Sequence, residues 1–177
     1  MSHARILLSL FTALLLVAVA GSAQATALYR VNVGGPAVAS VDAGIGWDED
    51  SSASPSANIV GTGGASFYNT GSGSSHGVVT TGPAGVPLDI FQTERWDPPA
   101  DPAMTWAFTV PAGSYEVRLY FAEIYNGITV DGARLFDVSV EGAVPAVFTG
   151  IDPFALGGSA GSVGSVLSTT QLVSDGT

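Results

Sequence analysis

Residues 115–123 have the sequence Tyr-Glu-Val-Arg-Leu-Tyr-Phe-Ala-Glu, in which apolar and polar side chains alternate. Successive side chains of a β-strand point to opposite faces of the sheet. The pattern therefore predicts a half-buried strand with Val117, Leu119 and Phe121 on the core face.

A second alternating segment, 134–140, follows after a loop with the turn dipeptides Asn-Gly and Asp-Gly. We predict that the two segments form an antiparallel hairpin with three apolar pairs: Phe121 with Phe136, Leu119 with Val138 and Val117 with Val140. This register places Glu123 opposite Arg134. Because a charged side chain at a core-facing position needs a partner, we expect these two to form a structural ion pair.

The remaining chain after residue 25 also has the sequence features of strands and loops. Gly, Pro and Ser recur every few residues, and no segment sustains apolar positions at helical spacing. Further strands are predicted at 29–33 (Tyr29, Val31 and Val33 inward), at 86–93, through Trp106, Phe108 and Val110, and from Thr169. Residues 38–85 are expected to form long loops with short strands. The sequence predicts an all-β domain.

The first 25 residues resemble a secretory signal peptide. Arg5 precedes an apolar run over residues 6–20, and residues 23–25, Ala-Gln-Ala, match the pattern of a cleavage site. A retained N-terminal anchor is the alternative, although the run is short for a membrane span. We therefore expect a signal peptide at 1–25 and one exported domain at 26–177, with no membrane span in the mature chain.

Composition excludes several classes of function. The 177 residues include 5 basic and 15 acidic side chains, a formal net charge of −10, with no lysine and no cysteine. Nucleic acids and anionic membranes need a basic surface, so neither is expected as a partner. Disulfides and thiolate metal sites are excluded as well. No cofactor is expected.

Three aromatic residues, Tyr68, Trp96 and Tyr125, fall in or beside predicted loops, each close to a hydrogen-bonding residue. Carbohydrate sites place aromatic rings against the C–H faces of sugars and polar side chains against the hydroxyls. The pattern therefore indicates a carbohydrate-binding surface. The alternative is that these rings pack over the ends of a sandwich.

Signatures of catalysis are poor. Two segments, 73–77 and 157–161, match the Gly-x-Ser-x-Gly pattern, but both lie in Gly/Ser-rich tracts without the strand-to-helix context of a nucleophile elbow. His76 is the only histidine after residue 25. Glu94 and Glu123 could form the carboxylate pair of a glycosidase. However, an ion pair with Arg134 would lower the pKa of Glu123 and make it a poor general acid.

Two charged segments allow more than one interpretation. Glu94-Arg95 could contact a ligand or stabilise the fold, and we expect one of the two to be structural. The cluster Asp48-Glu49-Asp50 could hold a structural calcium ion. It lacks the spacing of a defined calcium loop, so a solvated acidic loop is the preferred interpretation.

Four segments together resemble the malectin domain in order and spacing: 29–36 (Tyr-Arg-Val-Asn-Val-Gly-Gly-Pro), 91–96 (Phe-Gln-Thr-Glu-Arg-Trp), 111–125 (Pro-Ala-Gly-Ser-Tyr-Glu-Val-Arg-Leu-Tyr-Phe-Ala-Glu-Ile-Tyr) and 134–142. The resemblance runs from about residue 28 to the end of the sequence. It implies a jelly-roll-like antiparallel β-sandwich of the galactose-binding type that binds carbohydrate without cleaving it. The sugar-stacking aromatics of the family would fall on Trp96, Tyr125 and Tyr68. Asn126 stands where animal malectin has a second aromatic.

These observations predict a secreted, lectin-like protein of bacterial type, in the periplasm or at the cell surface, that binds a glucose-containing glycan. The alternatives are an adhesive sandwich that contacts proteins and an accessory module of a glycoside hydrolase. The turn dipeptide Asp175-Gly176 has no strand after it, and the family's last strands would lie beyond Thr177. We therefore expect the domain to continue beyond this sequence.

Overall fold

The computed structural model describes residues 26–62, 64–98 and 102–175. The proposed signal peptide lies outside these residues. Within the described ranges, eight strands form four two-stranded ladders: β1 (Val31–Val33) with β2 (Asp48–Asp50), β3 (Ile59–Gly61) with β6 (Thr105–Trp106), β4 (Ser66–Asn69) with β5 (Thr93–Trp96), and β7 (Gly113–Phe121) with β8 (Ser165–Val173). Three ladders are antiparallel and β1–β2 is parallel. The all-β prediction is confirmed.

The few helical turns are short. Residues Leu88–Phe91 and Ala146–Phe148 form 3-10 turns, and Pro153–Leu156 forms a four-residue helix, α1. The Asp152 carboxylate caps α1 by accepting hydrogen bonds from the amides of Phe154 and Ala155, both at 3.1 Å. No helix in the described ranges is long and apolar enough to cross a membrane.

The strand predicted at 115–123 is confirmed, but its predicted hairpin partner is wrong. β7 pairs along its whole length with β8, so that Leu119 lies opposite Leu167. In the described part of the chain, residues 134–140 make only isolated bridges, Phe136 with Ile151 and Val140 with Ala143. Alternation specifies which side chains share a face of the sheet, but it does not specify which other strand pairs with this one. The ring of Phe121 nevertheless contacts Phe136, at 5.7 Å between centroids.

Apolar packing covers both faces of β7 at its C-terminal end. Tyr120 packs against Trp47 and Phe91, which belong to the main buried cluster with Val79, Ile90 and Ile124. Val117, Leu119 and Phe121 share the opposite face and are half-buried, as predicted. The main core therefore lies on the face of Tyr120, and not on the face that alternation alone would choose.

Two other strand predictions need correction. In β1 the buried side chain is Asn32, whereas Val31 and Val33 are half-buried. The Asn32 amide donates to the carbonyl of Pro36 at 2.7 Å and so holds the turn that follows the strand. Residues 86–93 are not a strand; they contain the 3-10 turn Leu88–Phe91, and β5 begins at Thr93. This turn buries the adjacent residues Ile90 and Phe91, which a strand would place on opposite faces.

Candidate functional site

The β4–β5 ladder divides its side chains between two environments. Its register sets Ser66 opposite Trp96, Phe67 opposite Arg95, and Tyr68 opposite Glu94. Since alternate residues of a strand point to opposite faces, Tyr68, Glu94 and Trp96 share one face. We call this the outer face. Phe67 and Arg95 lie on the other, inner face.

The inner face carries a buried ion pair that is part of the fold. Arg95 donates from Nε and Nη2 to the two carboxylate oxygens of Asp50, at 2.9 and 2.5 Å. The guanidinium also lies 4.3 Å from the ring centroid of Phe67. Asp50 accepts two further bonds, from the amides of Gly34 and Ser56. Arg95 is therefore the structural member of the Glu94-Arg95 pair.

This arrangement corrects the interpretation of Asp48–Asp50 as a solvated loop. The segment is strand β2, and the side chain of Asp50 is fully buried while Asp48 is exposed. In the described residues, no group of three or more acidic or histidine side chains could hold a metal ion. Both oxygens of Asp50 are already occupied by Arg95.

Tyr125 lies in the loop that follows β7. The backbone of this loop is hydrogen-bonded to residues 74–76. The amide of His76 donates to the carbonyl of Ile124, and the amide of Asn126 donates to the carbonyl of Ser74, both at 2.9 Å. The amide of Tyr125 itself donates to the buried carboxylate of Glu123 at 2.9 Å. These bonds fix the backbone under the Tyr125 ring, which is 41% exposed.

The structure brings two of the three predicted aromatics together. The rings of Tyr68 and Tyr125 meet edge to face, with centroids 5.9 Å apart and planes at 90°. The hydroxyl of Tyr68 bonds the hydroxyl of Ser74 at 2.8 Å. Ser74 was not among the predicted site residues, because a serine in a Gly/Ser-rich loop carries no distinguishing pattern.

Trp96 and Asn126 flank this pair. Trp96 is 41% exposed and lies on the same face of the ladder as Tyr68, at the diagonal position across the two strands. Diagonal neighbours of this kind are about 7–8 Å apart, within reach of large side chains. The described residues show no ring contact between Trp96 and the tyrosines. Asn126 is exposed beside Tyr125.

Arg134 lies between two carboxylates, and the predicted partnership with Glu123 is confirmed. Its Nε is 3.1 Å from Oε2 of Glu123, and its Nη1 is 3.9 Å from Oε2 of Glu94. Glu123 is fully buried, whereas the side chains of Glu94 and Arg134 are 19% and 28% exposed. Glu94, opposite Tyr68 on the outer face, thus joins this polar cluster to the aromatic rings.

Burial outweighs the arginine at both carboxylates. Loss of solvent raises the pKa of Glu94 from 4.5 to about 7, although Arg134 opposes the shift. Burial likewise raises the pKa of Glu123, against the opposing effects of Arg134 and the Tyr125 amide. Arg134 does lower the pKa of Glu123, but the expected net decrease is wrong, because a single guanidinium shared by two buried carboxylates offsets only part of their desolvation.

We expect the protein to be more stable at pH 5 than at pH 8. The folded state holds the proton of Glu94 up to about pH 7, whereas the unfolded state releases it near 4.5. The stabilisation is present below pH 4.5 and is lost as the pH rises through 7, at a cost of at most about 3 kcal/mol. Urea unfolding at several pH values measures this change. Glu94→Gln should flatten the profile, and an unchanged profile in that variant would contradict the assignment.

One residue of the 91–96 motif has a role that the sequence did not reveal. The Gln92 amide makes four hydrogen bonds. Its oxygen accepts from the Val79 amide and the Thr70 hydroxyl, and its nitrogen donates to the carbonyls of Val79 and Leu88. Gln92 thereby connects the segment before β5 to the loop that carries Ser74. No spacing pattern could have indicated it, because its partners are mostly backbone groups.

The two Gly-x-Ser-x-Gly segments do not form a catalytic site in the described structure. His76 Nε2 lies 2.8 Å from the carbonyl oxygen of Ile128. The hydroxyl of Ser75 donates to the carbonyl of Thr70, and that of Ser159 donates to Asp131. Neither serine has a hydrogen bond to the imidazole, so these residues lack the geometry of a nucleophile and its base.

Comparison with known proteins identifies the family. The family model of the malectin domain matches residues 27–173. The chain belongs to the malectin domain family. The match includes the whole β4–β5 ladder, the loop that carries Tyr125 and the cluster around Arg134, so the site described above lies within the malectin domain.

A solved structure of a plant protein shares this malectin fold. The crystal structure of the plant receptor-like kinase FER is similar over 84% of this chain, with 25% sequence identity and a TM-score of 0.67. The chain corresponds to 40% of the length of that structure. Comparison with curated protein sequences gives no significant match. The β-sandwich of malectin type that was predicted from the sequence is therefore confirmed.

Proposed function

We propose that this malectin domain is exported and binds carbohydrate without cleaving it, with a glucose-containing oligosaccharide or polysaccharide as its ligand. The observation that carries the proposal is the outer face of the β4–β5 ladder. There the half-exposed rings of Trp96 and Tyr125 lie with Tyr68 beside the polar cluster of Glu94 and Arg134. Family membership supports the same class of function.

The physical basis is the dual surface of a sugar. A pyranose has apolar C–H faces that stack on aromatic rings and a rim of hydroxyls that need hydrogen-bond partners. Rings fixed by the backbone lose little conformational entropy on binding. The edge-to-face contact of Tyr68 and the backbone bonds on either side of Tyr125 hold two rings in this way. Asn126 adds an exposed amide at the rim.

Two features support binding over hydrolysis. Glycosidases need two carboxyl groups that both reach the scissile bond. Glu123 is fully buried and bonded to the Tyr125 amide, so it has no access to a substrate. It also shares Arg134 with Glu94. Export is supported by the signal-like segment at 1–25.

The proposal is tested by removing the exposed rings. We expect Trp96→Ala and Tyr125→Ala each to weaken glucan binding by up to about tenfold, because a stacked aromatic contributes on the order of 0.5–1.5 kcal/mol to such contacts. A glycan array followed by calorimetry on the best ligand measures the loss. Tyr29→Ala is the matched control, since Tyr29 is 40% exposed and its ring contacts Phe108.

The control should bind like the wild type, and the melting temperatures of the site variants should stay close to that of the wild type. If both site variants lose several degrees and no glycan binds the wild type, the rings are part of the core and the proposal is wrong.

A protein-binding sandwich is the second candidate. It is favoured by an open groove beside β8, lined by Leu167 and by the side chains of Val147 and Leu156, which are 40% and 39% exposed. A glycan array without signal, together with concentration-dependent self-association in sedimentation, would support this function over carbohydrate binding.

A further inference from the structure

The polar cluster at the site has hydrogen-bonding capacity that the described protein does not use. A guanidinium carries five N–H donors, yet Arg134 meets Glu94 and Glu123 only at ion-pair distance. Oε2 of Glu123 is buried without a hydrogen bond, despite its 3.1 Å separation from Arg134. The carboxylate of Glu94 likewise has no hydrogen bond to a described residue. The partly exposed carboxylate of Glu94 and guanidinium of Arg134 can therefore bond a ligand, whereas the fully buried Glu123 only holds Arg134 in place.

The unused groups lie next to the aromatic rings. Glu94 is directly opposite Tyr68 in the β4–β5 ladder, and the ring of Tyr68 meets that of Tyr125. The amide of Tyr125 bonds Glu123, which pairs with Arg134, and Arg134 returns to Glu94. Each of these five residues therefore pairs with or contacts two of the others. A molecule stacked on the rings would therefore have a carboxylate acceptor and a guanidinium donor beside it.

We propose that Glu94 and Arg134 together bind two vicinal hydroxyls of a neutral pyranose and thereby determine which sugar the domain accepts. This inference rests on the proposed function. A hydroxyl is both a donor and an acceptor. Of two neighbouring hydroxyls, one can donate to the Glu94 carboxylate while the other accepts from Arg134. Bonds to charged groups are the stronger and more selective kind.

The charges of the cluster select against acidic sugars. Two carboxylates share one guanidinium, so the cluster is negative when all three groups are ionised. Asp152 adds a negative field at Glu123, and His76 is the other titratable group near it. A uronic acid would bring a further negative charge into this half-buried place, which like-charge repulsion disfavours. A neutral hexose carries no such charge.

The test combines ligand and protein changes. Methyl α-glucoside, its monodeoxy derivatives and glucuronic acid are titrated by NMR into the wild type, Glu94→Gln, Arg134→Lys and the control Glu116→Gln. Glu116 also forms an ion pair with an arginine, Arg118, but both of these side chains are well exposed on β7. We expect loss of either of two neighbouring hydroxyls to weaken wild-type binding by about tenfold. In the Glu94 and Arg134 variants the same losses should be small, and the control should match the wild type.

A pH series separates a direct role from a structural one. Since ionised Glu94 is the better acceptor, affinity should rise by several-fold between pH 5 and pH 8, whereas stability should fall over the same interval. Glu94→Gln should remove the rise. If Trp96→Ala abolishes binding but Glu94→Gln changes neither affinity nor its pH profile, this inference is overturned and the proposed function stands. If no glucoside binds the wild type, both are overturned.

Discussion

Replacement of Asp50 by Asn should lower the free energy of unfolding by about 3–5 kcal/mol. Asp50 is fully buried and its two oxygens accept bonds from Arg95 and from the amides of Gly34 and Ser56. Asparagine keeps the shape but loses the charge, so the guanidinium of Arg95 would stay buried without a counter-ion. The side-chain NH₂ group of the asparagine would also face an N–H donor at a position where the carboxylate accepted a hydrogen bond. Equilibrium unfolding in urea measures the loss.

The matched control is the exposed ion pair on β7. Glu116 bonds Arg118 at 2.8 Å with both side chains well exposed, so Glu116→Gln should cost at most about 1 kcal/mol. If the Asp50 and Glu116 variants lose similar stability, the buried pair is not a major support of the β4–β5 ladder. Glycan binding by the surviving folded fraction of Asp50→Asn should stay near that of the wild type, since Asp50 contacts the inner face only.

Gln92→Met should destabilise the protein by about 3 kcal/mol. Methionine has a similar length but cannot replace the four hydrogen bonds of the amide. Val79 is 1% exposed, and in the described structure its amide and carbonyl have no other partner, so both would be left buried and unpaired. Each such group costs about 1–3 kcal/mol. Thermal and urea unfolding give the magnitude.

Thr70→Val tests one of these bonds alone. It removes only the bond from the Thr70 hydroxyl to Gln92, which is 3.1 Å long, and should cost about 1 kcal/mol. Equal losses in the two variants would mean that Val79 finds other partners, and would contradict the role assigned to Gln92. The Gln92 variant should also weaken glycan binding, because the loop that it holds carries the serine bonded to Tyr68.

The strand content of the fold was predictable where alternation was long. The nine residues of β7 alternate as expected, and the last strand was placed correctly but begins earlier than expected, at Ser165. Its pairing with β7 was not predictable, because the partner lies about 50 residues away and the nearer segment at 134–140 has the same periodicity. Loop closure favours near partners, while the completed core selects the distant one.

The ion pair of Glu123 with Arg134 was predictable from the sequence, and the aromatics of the candidate site stay a prediction that the exposure of Trp96 and Tyr125 supports. The different roles of Gln92, Glu94 and Arg95 could not be predicted from the sequence. Sequence parity puts Glu94 and Trp96 on one face and Arg95 on the other, but only the position of Asp50 shows which face is internal. The raised pKa of Glu94 also could not be read from composition, because it depends on how much solvent the fold removes.

The two faces of the β4–β5 ladder make the domain a practical starting point for directed evolution. Positions 66 and 96 are exposed on the outer face, and neither contributes to the Asp50–Arg95 pair or to the bonds of Gln92. A combinatorial library at these two codons would vary groups that face the proposed ligand while the scaffold beneath stays the same. New sugar specificities could then be selected without first restoring a damaged fold.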